Sequence, residues 1–273
     1  YDILKPISSG AYGSVYLARK KLTGDYFAIK VLRKSDMIAK NQVTNVKSER
    51  AIMMVQSDKP YVARLFASFQ NKDNLFLVME YLPGGDLATL IKMMGYLPDQ
   101  WAKQYLTEIV VGVNDMHQNG IIHHDLKPEN LLIDNAGHVK LTDFGLSRAG
   151  LIRRHKFVDS KQNKKFFGTP DYLAPETIEG KGEDNKQCDW WSVGCIFFEL
   201  LLGYPPFHAE TPDAVFKKIL SGVIQWPEFK NEEEEREFLT PEAKDLIEKL
   251  LVVDPAKRLG AKGIQEIKDH PYF

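Results

Sequence analysis

The stretch IHHDLKPEN, residues 122–130, decides how this sequence is interpreted. It places Asp125, Lys127 and Asn130 in one short polar loop, and a second stretch, LTDFG, follows at residues 141–145. Carboxylate and amide oxygens suit a hard cation such as Mg²⁺, and Asp125 remains free to orient the proton of an attacking hydroxyl. The two stretches, in this order, therefore predict a site for phosphoryl transfer.

A glycine-rich turn, SSGAYGSV, precedes both stretches at residues 8–15. Gly10 and Gly13 carry no Cβ, so backbone N–H groups at this turn are able to approach a phosphate closely. The turn leads into a predicted strand and not into a helix, which argues against a P-loop or a dinucleotide-binding site. Because a plain hairpin turn has the same glycines, this turn alone leaves both interpretations open.

Lys30 stands among the apolar residues of a predicted strand. An unpaired buried ammonium is costly, so Lys30 either faces water or pairs with an anion such as Glu49 in the following helix. Taken alone, the residue favours a solvated lysine. Its position upstream of the two stretches at 122–130 and 141–145 favours the ion pair.

Composition limits the remaining classes of protein. The chain has 273 residues, 44% of them hydrophobic and 27% charged, which is typical of one large domain or of two packed lobes. A formal net charge of −1 argues against nucleic acid as a partner. Cys188 and Cys195 are too few for a disulfide framework, so we expect reduced thiols and a cytoplasmic or nuclear location. No apolar run approaches the roughly 18 residues that cross a bilayer, and we expect no membrane partner.

Hydrophobic periodicity changes from strands to helices along the chain, which predicts an α+β fold. The predicted strands are 2–7, 14–20, 26–32, 62–69 and 75–81, and the predicted helices are 36–56, 98–117, 190–202, 211–220 and 241–252. We interpret the acidic run at 232–235 as a solvated face or loop.

Four further stretches complete a resemblance to a known family. They are VMEYLPGGD at 78–86, GTPDYLAPE at 168–176, CDWWSVG at 188–194 and GYPPF at 203–207. With the first two stretches, they resemble the catalytic domain of serine/threonine protein kinases of the AGC group, in its Greatwall and MAST branch. The resemblance covers essentially all 273 residues, and the motifs follow one another in the order that is typical of protein kinases.

The resemblance implies one bilobal protein kinase catalytic domain over residues 1–273, with an ATP cleft between the lobes. The small β-rich N-lobe is expected at 1–81, the hinge at 82–86 and the larger α-helical C-lobe at 87–273. The cofactors it implies are ATP and Mg²⁺.

The resemblance also assigns roles to individual residues. Asp125 is the expected base, Lys127 stabilises the transferred phosphoryl group, and Lys30 holds the α- and β-phosphates with Glu49 as its partner. The implied metal ligands are Asn130 and Asp143. The implied nucleotide-binding residues are Ile7, Gly10, Gly13, Val15, Ala28, Lys30, Met79, Glu80, Leu82 and Asp86. Structural roles are implied for a pair between Glu176 and Arg258, and for Asp189, which braces the catalytic loop.

Three positions depart from the family pattern. Ser8 replaces the first glycine of the loop, His124 replaces the arginine before the catalytic aspartate, and Lys165 stands where AGC kinases carry a phosphorylated threonine. Without a phosphate at residue 165, an arginine at 124 has no anion to bind. We therefore hypothesise that phosphorylation at that place does not switch this kinase on. The neighbourhood of residues 158–160 is the expected join of a trimmed insertion.

The resemblance implies a monomeric domain that acts on serine or threonine of a protein substrate, but it leaves the substrate open. Glu129 and Glu199 match positions where AGC kinases bind arginines, which implies a basic substrate. The Greatwall branch implies endosulfine-type phosphatase inhibitors, whose target site is acidic. A nucleotide-binding pseudokinase or scaffold, suggested by Ser8 and His124, is the main alternative. A small-molecule phosphotransferase is the second.

Overall fold

The computed structural model describes residues 1–10, 13–41, 43–149, 170–181 and 185–273. Five strands of the first part form one antiparallel sheet in the spatial order β1-β2-β3-β5-β4. These strands are β1 (Asp2–Gly10), β2 (Gly13–Arg19), β3 (Tyr26–Arg33), β4 (Leu65–Gln70) and β5 (Asn74–Glu80). The sheet and the helices that follow it confirm the α+β class and the predicted bilobal fold.

Two helices, not one, connect β3 to β4. The predicted helix at 36–56 is wrong in this respect, because α1 (Lys34–Ala39) and α2 (Val43–Val55) are separate. Between them, Asn41 has a φ of 54°, a left-handed conformation that asparagine tolerates better than most residues and that a continuous helix excludes. Helix α2 nevertheless buries Val46, Ile52 and Met53 on one side, together with Glu49.

Helices dominate the rest of the chain. They are α3 (Leu87–Met94), α4 (Asp99–Gln118), α5 (Pro175–Ile178), α6 (Gln187–Leu202), α7 (Pro212–Ser221), α8 (Glu232–Phe238), α9 (Pro241–Leu250) and α10 (Ile264–Lys268). Helix α6 is buried on nearly every side, including Trp190 and Trp191. An all-round apolar helix belongs at the centre of a helical core, and α6 packs there against α4 and α9.

Short strands and 3₁₀ turns carry the segments between α4 and α5. Strand β6 (Ile121–Ile122) pairs with β9 (Arg148–Ala149), and β7 (Leu131–Ile133) pairs with β8 (Val139–Leu141). The 3₁₀ turns span 128–130, 144–146 and 170–172. The two stretches that decide the sequence interpretation thus lie where the chain passes from one strand pair to the other, at 123–130 between β6 and β7 and at 142–147 between β8 and β9.

The sheet and the helical part are tied together near residue 141. Strand β4 begins at Leu65 and not at the predicted residue 62, because Val62 instead makes an isolated bridge to Leu141 of β8. The backbone N–H of Ala63 donates to the Leu141 carbonyl at 2.9 Å, and the N–H of Leu141 donates to the Tyr61 carbonyl at 2.9 Å. This connection places the end of α2 beside the loop that carries Asp143.

Several smaller predictions can also be compared with the structure. The acidic run at 232–235 begins helix α8, so the loop alternative is wrong, while exposed Glu232 and Glu233 agree with a solvated face. Cys188 and Cys195 are buried and free of disulfides, as expected. Of the helices among the described residues, none has the length and apolar character needed to cross a membrane.

Candidate active site

One face of the sheet collects the predicted adenine and phosphate residues. Val15 of β2 is paired with Lys30 of β3, and Ala28 of β3 is paired with Met79 of β5. Directly paired residues share a face, as do residues two apart on a strand. Val15, Ala28, Lys30 and Met79 therefore line the same side of the sheet, and Lys30 shows that this side faces α2 and the cleft.

Lys30 connects two carboxylates from distant parts of the chain. Its Nζ lies 2.7 Å from Oε1 of Glu49 on α2 and 3.4 Å from Oδ1 of Asp143. The side chains of Lys30 and Glu49 are 18% and 3% exposed, whereas Asp143 is open to the cleft. The solvated interpretation of Lys30 is thus wrong, because the ammonium is largely buried and is paired.

Burial and charge act against each other in this triad. Burial alone would lower the pKa of Lys30, but the carboxylates of Glu49 and Asp143 outweigh it and raise that pKa above its ordinary value. Burial acts to raise the pKa of Asp143, yet the Lys30 ammonium and His123 hold it below its ordinary range. Burial raises the pKa of Glu49 against the opposing effect of Lys30. With two carboxylates around it, Lys30 keeps its positive charge at neutral pH.

The backbone around Asp143 directs its carboxylate toward Lys30. Asp143 has φ and ψ of 59° and 71°, in the left-handed region, where a residue other than glycine is strained and is more often part of a functional site. The next residue, Phe144, is fully buried, with its ring 5.3 Å from that of His123. Burial of Phe144 therefore fixes the turn that presents Asp143 to the cleft.

Asp125 is held by two neighbours in the catalytic loop. Asn130 Nδ2 donates to the Asp125 carbonyl at 2.8 Å and to Asp125 Oδ2 at 3.0 Å. Lys127 Nζ lies 3.2 Å from Asp125 Oδ1. The structure thus brings together the three residues of the loop that the sequence singled out, with the Asp125 carboxylate bonded on one side and partly open on the other.

His123 and Asp189 hold the backbone of this loop in place through hydrogen bonds. His123 Nε2 lies 3.1 Å from the Thr142 carbonyl, so it is the protonated nitrogen, and Nδ1 accepts from the Asp125 N–H at 3.3 Å. Asp189 of α6 accepts from the N–H groups of His123 and His124 at 2.9 and 3.0 Å. The predicted brace by Asp189 is confirmed.

Asn130 and Asp143 provide a donor set that fits Mg²⁺. The Asn130 side-chain nitrogen is committed to Asp125, which leaves the amide oxygen as its metal-binding atom. Asp143 contributes a carboxylate whose pKa is below its ordinary range, so it is ionised. An amide oxygen and a carboxylate are ligands that Mg²⁺ prefers in combination with phosphate oxygens.

The glycine-rich turn is described only at its two ends. Gly10 ends β1 and pairs with Gly13 at the start of β2, while residues 11 and 12 lie outside the described residues. A Cβ on Gly13 would lie 2.2 Å from the Val31 carbonyl oxygen of β3. Gly13 is therefore required by the packing of the sheet itself, whatever it does for a phosphate. Ile7 lies at a bulge of β1 and is 45% exposed.

Glu80 and the residues of the predicted hinge have contacts that the sequence did not indicate. The Glu80 side chain pairs with Lys140 of β8 at 2.7 Å and its N–H donates to the Arg64 carbonyl at 2.9 Å. Leu82 is buried. The Asp86 carboxylate accepts from both the N–H and the hydroxyl of Thr89, at 2.8 and 3.0 Å, and so caps α3. A role of Asp86 toward ribose and the boundaries at 82–86 stay predictions.

The departures from the family pattern are only partly visible. His124 has a φ of 64° and its Nδ1 lies 3.5 Å from Cys188 Sγ. Lys165 and the neighbourhood of residues 158–160 lie outside the described residues. The hypothesis about activation without phosphorylation at 165 therefore stays a prediction.

A buried ion pair between Arg258 and Glu176 fixes helix α5. Arg258 Nη1 and Nη2 lie 2.7 and 2.9 Å from the two Glu176 carboxylate oxygens. The Arg258 guanidinium also lies over the Trp191 ring, 5.1 Å from its centroid. The predicted pair between Glu176 and Arg258 is confirmed. Its bidentate geometry ties α5 to the segment between α9 and α10.

Two further interactions of the site escaped the sequence analysis. Lys140 donates to Glu80 at the end of β5 at 2.7 Å, and Tyr172 donates to Glu199 Oε2 at 2.6 Å. Both partners are far apart in sequence, so no local pattern predicts either contact.

Comparison with known proteins agrees with this geometry. Residues 1–273 match the family described as "Protein kinase domain", and the chain belongs to the protein kinase family. Several of its curated relatives are named serine/threonine kinases. Serine/threonine-protein kinase RIM15 of Saccharomyces cerevisiae is 59% identical over 461 aligned residues, with all of this chain and 26% of that protein covered. This similarity confirms the predicted resemblance to the Greatwall branch and, within it, to the fungal Rim kinase.

Two other relatives show the same coverage. Serine/threonine-protein kinase cek1 of Schizosaccharomyces pombe is 42% identical, with all of this chain and 28% of that protein covered. Probable serine/threonine protein kinase IRE of Arabidopsis thaliana is 46% identical, with all of this chain and 25% of that protein covered. The chain thus spans about a quarter of the length of these curated relatives. The alignment with RIM15 is longer than the 273 residues of this chain, so that relative has additional residues inside the matched region.

Proposed function

We propose that this chain transfers the γ-phosphoryl group of ATP to serine or threonine hydroxyls of protein substrates. One observation carries the proposal: Lys30 joins Glu49 and Asp143 on one side of the cleft, while Asp125 is joined to Lys127 and Asn130 on the other. A pseudokinase has no need to keep both assemblies. The names of the three relatives above, all serine/threonine kinases, also favour this function over a small-molecule phosphotransferase.

In this proposal, each charged residue has one task. Lys30, held by Glu49, binds the α- and β-phosphates, and Val15, Ala28, Met79 and the backbone at Glu80 and Leu82 enclose the adenine. Asn130 and Asp143 hold Mg²⁺, which when bound neutralises charge on the phosphate oxygens.

Asp125 carries the proton step. Its carboxylate, oriented by Asn130, accepts or directs the proton of the attacking hydroxyl. Lys127, already beside Asp125, stabilises the charge that develops on the transferred group. The rate enhancement therefore comes from alignment and electrostatics, since the chain's residues form no covalent bond to phosphorus.

For the substrate, we propose endosulfine-type phosphatase inhibitors, with the domain acting as a monomer in the cytoplasm or the nucleus. Support for the substrate comes from the resemblance to the Greatwall branch. Support for the location comes from the two buried, unoxidised cysteines.

The test is phosphate transfer from Mg²⁺-ATP to an endosulfine-type protein and to an arginine-rich peptide, with the phosphorylated residue located by mass spectrometry. Asp143→Ala is the inactive control. Transfer that disappears in the control supports the activity, and the preferred acceptor decides the substrate. ATP binding without transfer to either acceptor would favour the pseudokinase.

A further inference from the structure

Three carboxylates lie together beside the catalytic loop: Glu129, Asp171 and Glu199. Glu129 stands next to Asn130 in one 3₁₀ turn. Burial raises the pKa of Glu199 to about 7, although the bond from Tyr172 lowers it, and the charges of Glu129 and Asp171 contribute to the rise. Glu129 and Asp171 thus lie within electrostatic reach of Glu199. Tyr172, next to Asp171 in the 3₁₀ turn at 170–172, also reaches Glu199 through its hydroxyl at 2.6 Å. We call the three carboxylates the acidic cluster.

His208 lies at the rim of the acidic cluster. Its Nδ1 is 2.8 Å from Asp171 Oδ1, and the two side chains are 65% and 3% exposed. Within the part of the chain that the structure describes, His208 is the basic side chain found at ion-pair distance from the cluster. The Asp171 carboxylate is thus buried, and the exposed imidazole of His208 is bonded to one of its oxygens.

Contacts on both sides hold His208 in this position. The preceding residue, Phe207, is fully buried and stacks on Trp191 with ring centroids 5.3 Å apart. The His208 carbonyl accepts from Lys218 of α7 at 2.7 Å. The backbone of the loop between α6 and α7 is thus anchored at Phe207 and at the His208 carbonyl. These contacts hold the His208 imidazole in place beside Asp171.

We propose that His208 determines the charge specificity of the kinase for its protein substrate. By bonding to Oδ1 of Asp171 at 2.8 Å, it occupies one of the carboxylate oxygens with which the acidic cluster would bind a substrate arginine or lysine. Tyr172 similarly occupies one oxygen of Glu199, so that Glu129 is the exposed carboxylate of the cluster without a partner among the described residues. This inference rests on the proposed phosphorylation of proteins.

The consequence concerns the two substrate classes that the sequence left open. A cluster with all carboxylates available selects basic side chains, and it repels acidic ones by like charge. With Asp171 covered by His208, the attraction for arginine is weaker and an acidic target site is tolerated. His208 thus allows the acidic cluster to accept a substrate whose target site is itself acidic.

The experiment uses serine peptides of otherwise neutral sequence in which a single arginine is moved along the peptide one position at a time. For each position, the ratio of kcat/KM with arginine to kcat/KM with alanine is measured in one enzyme preparation, so the active fraction cancels. His208→Ala is expected to raise this ratio roughly fivefold at one or two positions, the size of about 1 kcal/mol for one partly exposed charge.

Two further variants make the comparison specific. His138 is the matched control, since it is also an exposed histidine whose Nδ1 lies 2.7 Å from a buried carboxylate, that of Glu108, but it lies outside the acidic cluster. His138→Ala is expected to leave the ratio unchanged. The double variant His208→Ala/Asp171→Asn is expected to return the ratio to the wild-type value.

An unchanged ratio in His208→Ala, or a raised ratio that survives Asp171→Asn, would overturn the role of His208. A wild-type enzyme that phosphorylates none of the peptides would instead contradict the proposed function. In that event the affinity of a labelled arginine peptide, measured by fluorescence anisotropy in the same variants, still decides the role of His208 by the same comparison.

Discussion

The Nζ atom of Lys30 lies 2.7 Å from Oε1 of Glu49, which joins strand β3 to helix α2. Lys30 also lies 3.4 Å from Asp143, so the position of α2 determines how the ammonium is shared between the two carboxylates. Loss of the Glu49 charge leaves Lys30 with Asp143 alone, the residue proposed to hold Mg²⁺.

Glu49→Gln is therefore expected to lower kcat/KM for ATP about 100-fold, the usual loss when one preorganised electrostatic partner is removed. Steady-state kinetics with an excess of peptide substrate measures the change. Glu248→Gln, an exposed carboxylate on α9, is the matched control and should behave as wild type. Equal kinetics in the two variants would contradict the role of the pair.

Replacement of Asp125 and of Asp143 by asparagine should have different effects on phosphate transfer and on ATP binding. Asp125→Asn removes the proton acceptor but leaves the nucleotide residues intact, so transfer should fall by a factor of about 10²–10⁴ with ATP affinity unchanged. Asp143→Asn should weaken ATP binding only when Mg²⁺ is present. Calorimetric titration with and without Mg²⁺ distinguishes them, and the same behaviour in both variants would refute the division of roles.

These residues show how much of the site can be predicted from the sequence. Motif order indicates Lys30, Glu49, Asp125 and Asp143, because phosphoryl transfer in the protein kinase family needs these residue types in one cleft. The contact between Lys30 and Glu49 is also foreseeable, since a buried ammonium requires an anion. The break between α1 and α2 at Asn41 is not foreseeable, because the apolar spacing continues through it.

Contacts that depend on tertiary placement cannot be predicted from sequence patterns. Nothing in the alternation of residues 139–141 indicates that Lys140 reaches Glu80 across 60 positions. Asp171 and His208 are likewise separated by 37 positions, and neither belongs to a pattern that indicates the other. Asp86 differs from both, because its side chain caps α3 through Thr89, only three positions away, while the family pattern assigns Asp86 to the ribose.

The pair between Arg258 and Glu176 is expected to be important for stability. Its side chains are 0% and 7% exposed, and removal of one partner from such a pair strands the other charge, at about 3–5 kcal/mol. Arg258→Met should lose that much free energy of unfolding in urea denaturation. Lys249→Met, which breaks the exposed pair with Asp245 on α9, should lose less than about 1 kcal/mol. Similar losses in both would contradict this account.

Glu199 should make stability depend on pH in an unusual direction. Burial raises its pKa from 4.5 to about 7, so between these values the unfolded chain releases the proton while the folded chain keeps it. The contribution of Glu199 to the free energy of unfolding is therefore present below pH 4.5 and is lost as the pH rises through 7.

Glu199→Gln removes this dependence while its amide oxygen still accepts from Tyr172. Relative to wild type, the variant should gain up to about 3 kcal/mol of unfolding free energy between pH 4.5 and 8, at about 1.4 kcal/mol for each pKa unit. Urea denaturation at several pH values measures the difference. A constant difference between the two proteins across this range would show that Glu199 titrates normally.

Asp189 accepts hydrogen bonds from the His117 ring at 2.8 Å and from the N–H groups of His123 and His124 at 2.9 and 3.0 Å. Those two amides therefore cannot exchange their hydrogens for deuterium while α6 stays in place. We expect them to be as protected as the amides at the centre of α4, although they belong to a loop. The loop that carries Asp125 should then open only together with the helical core.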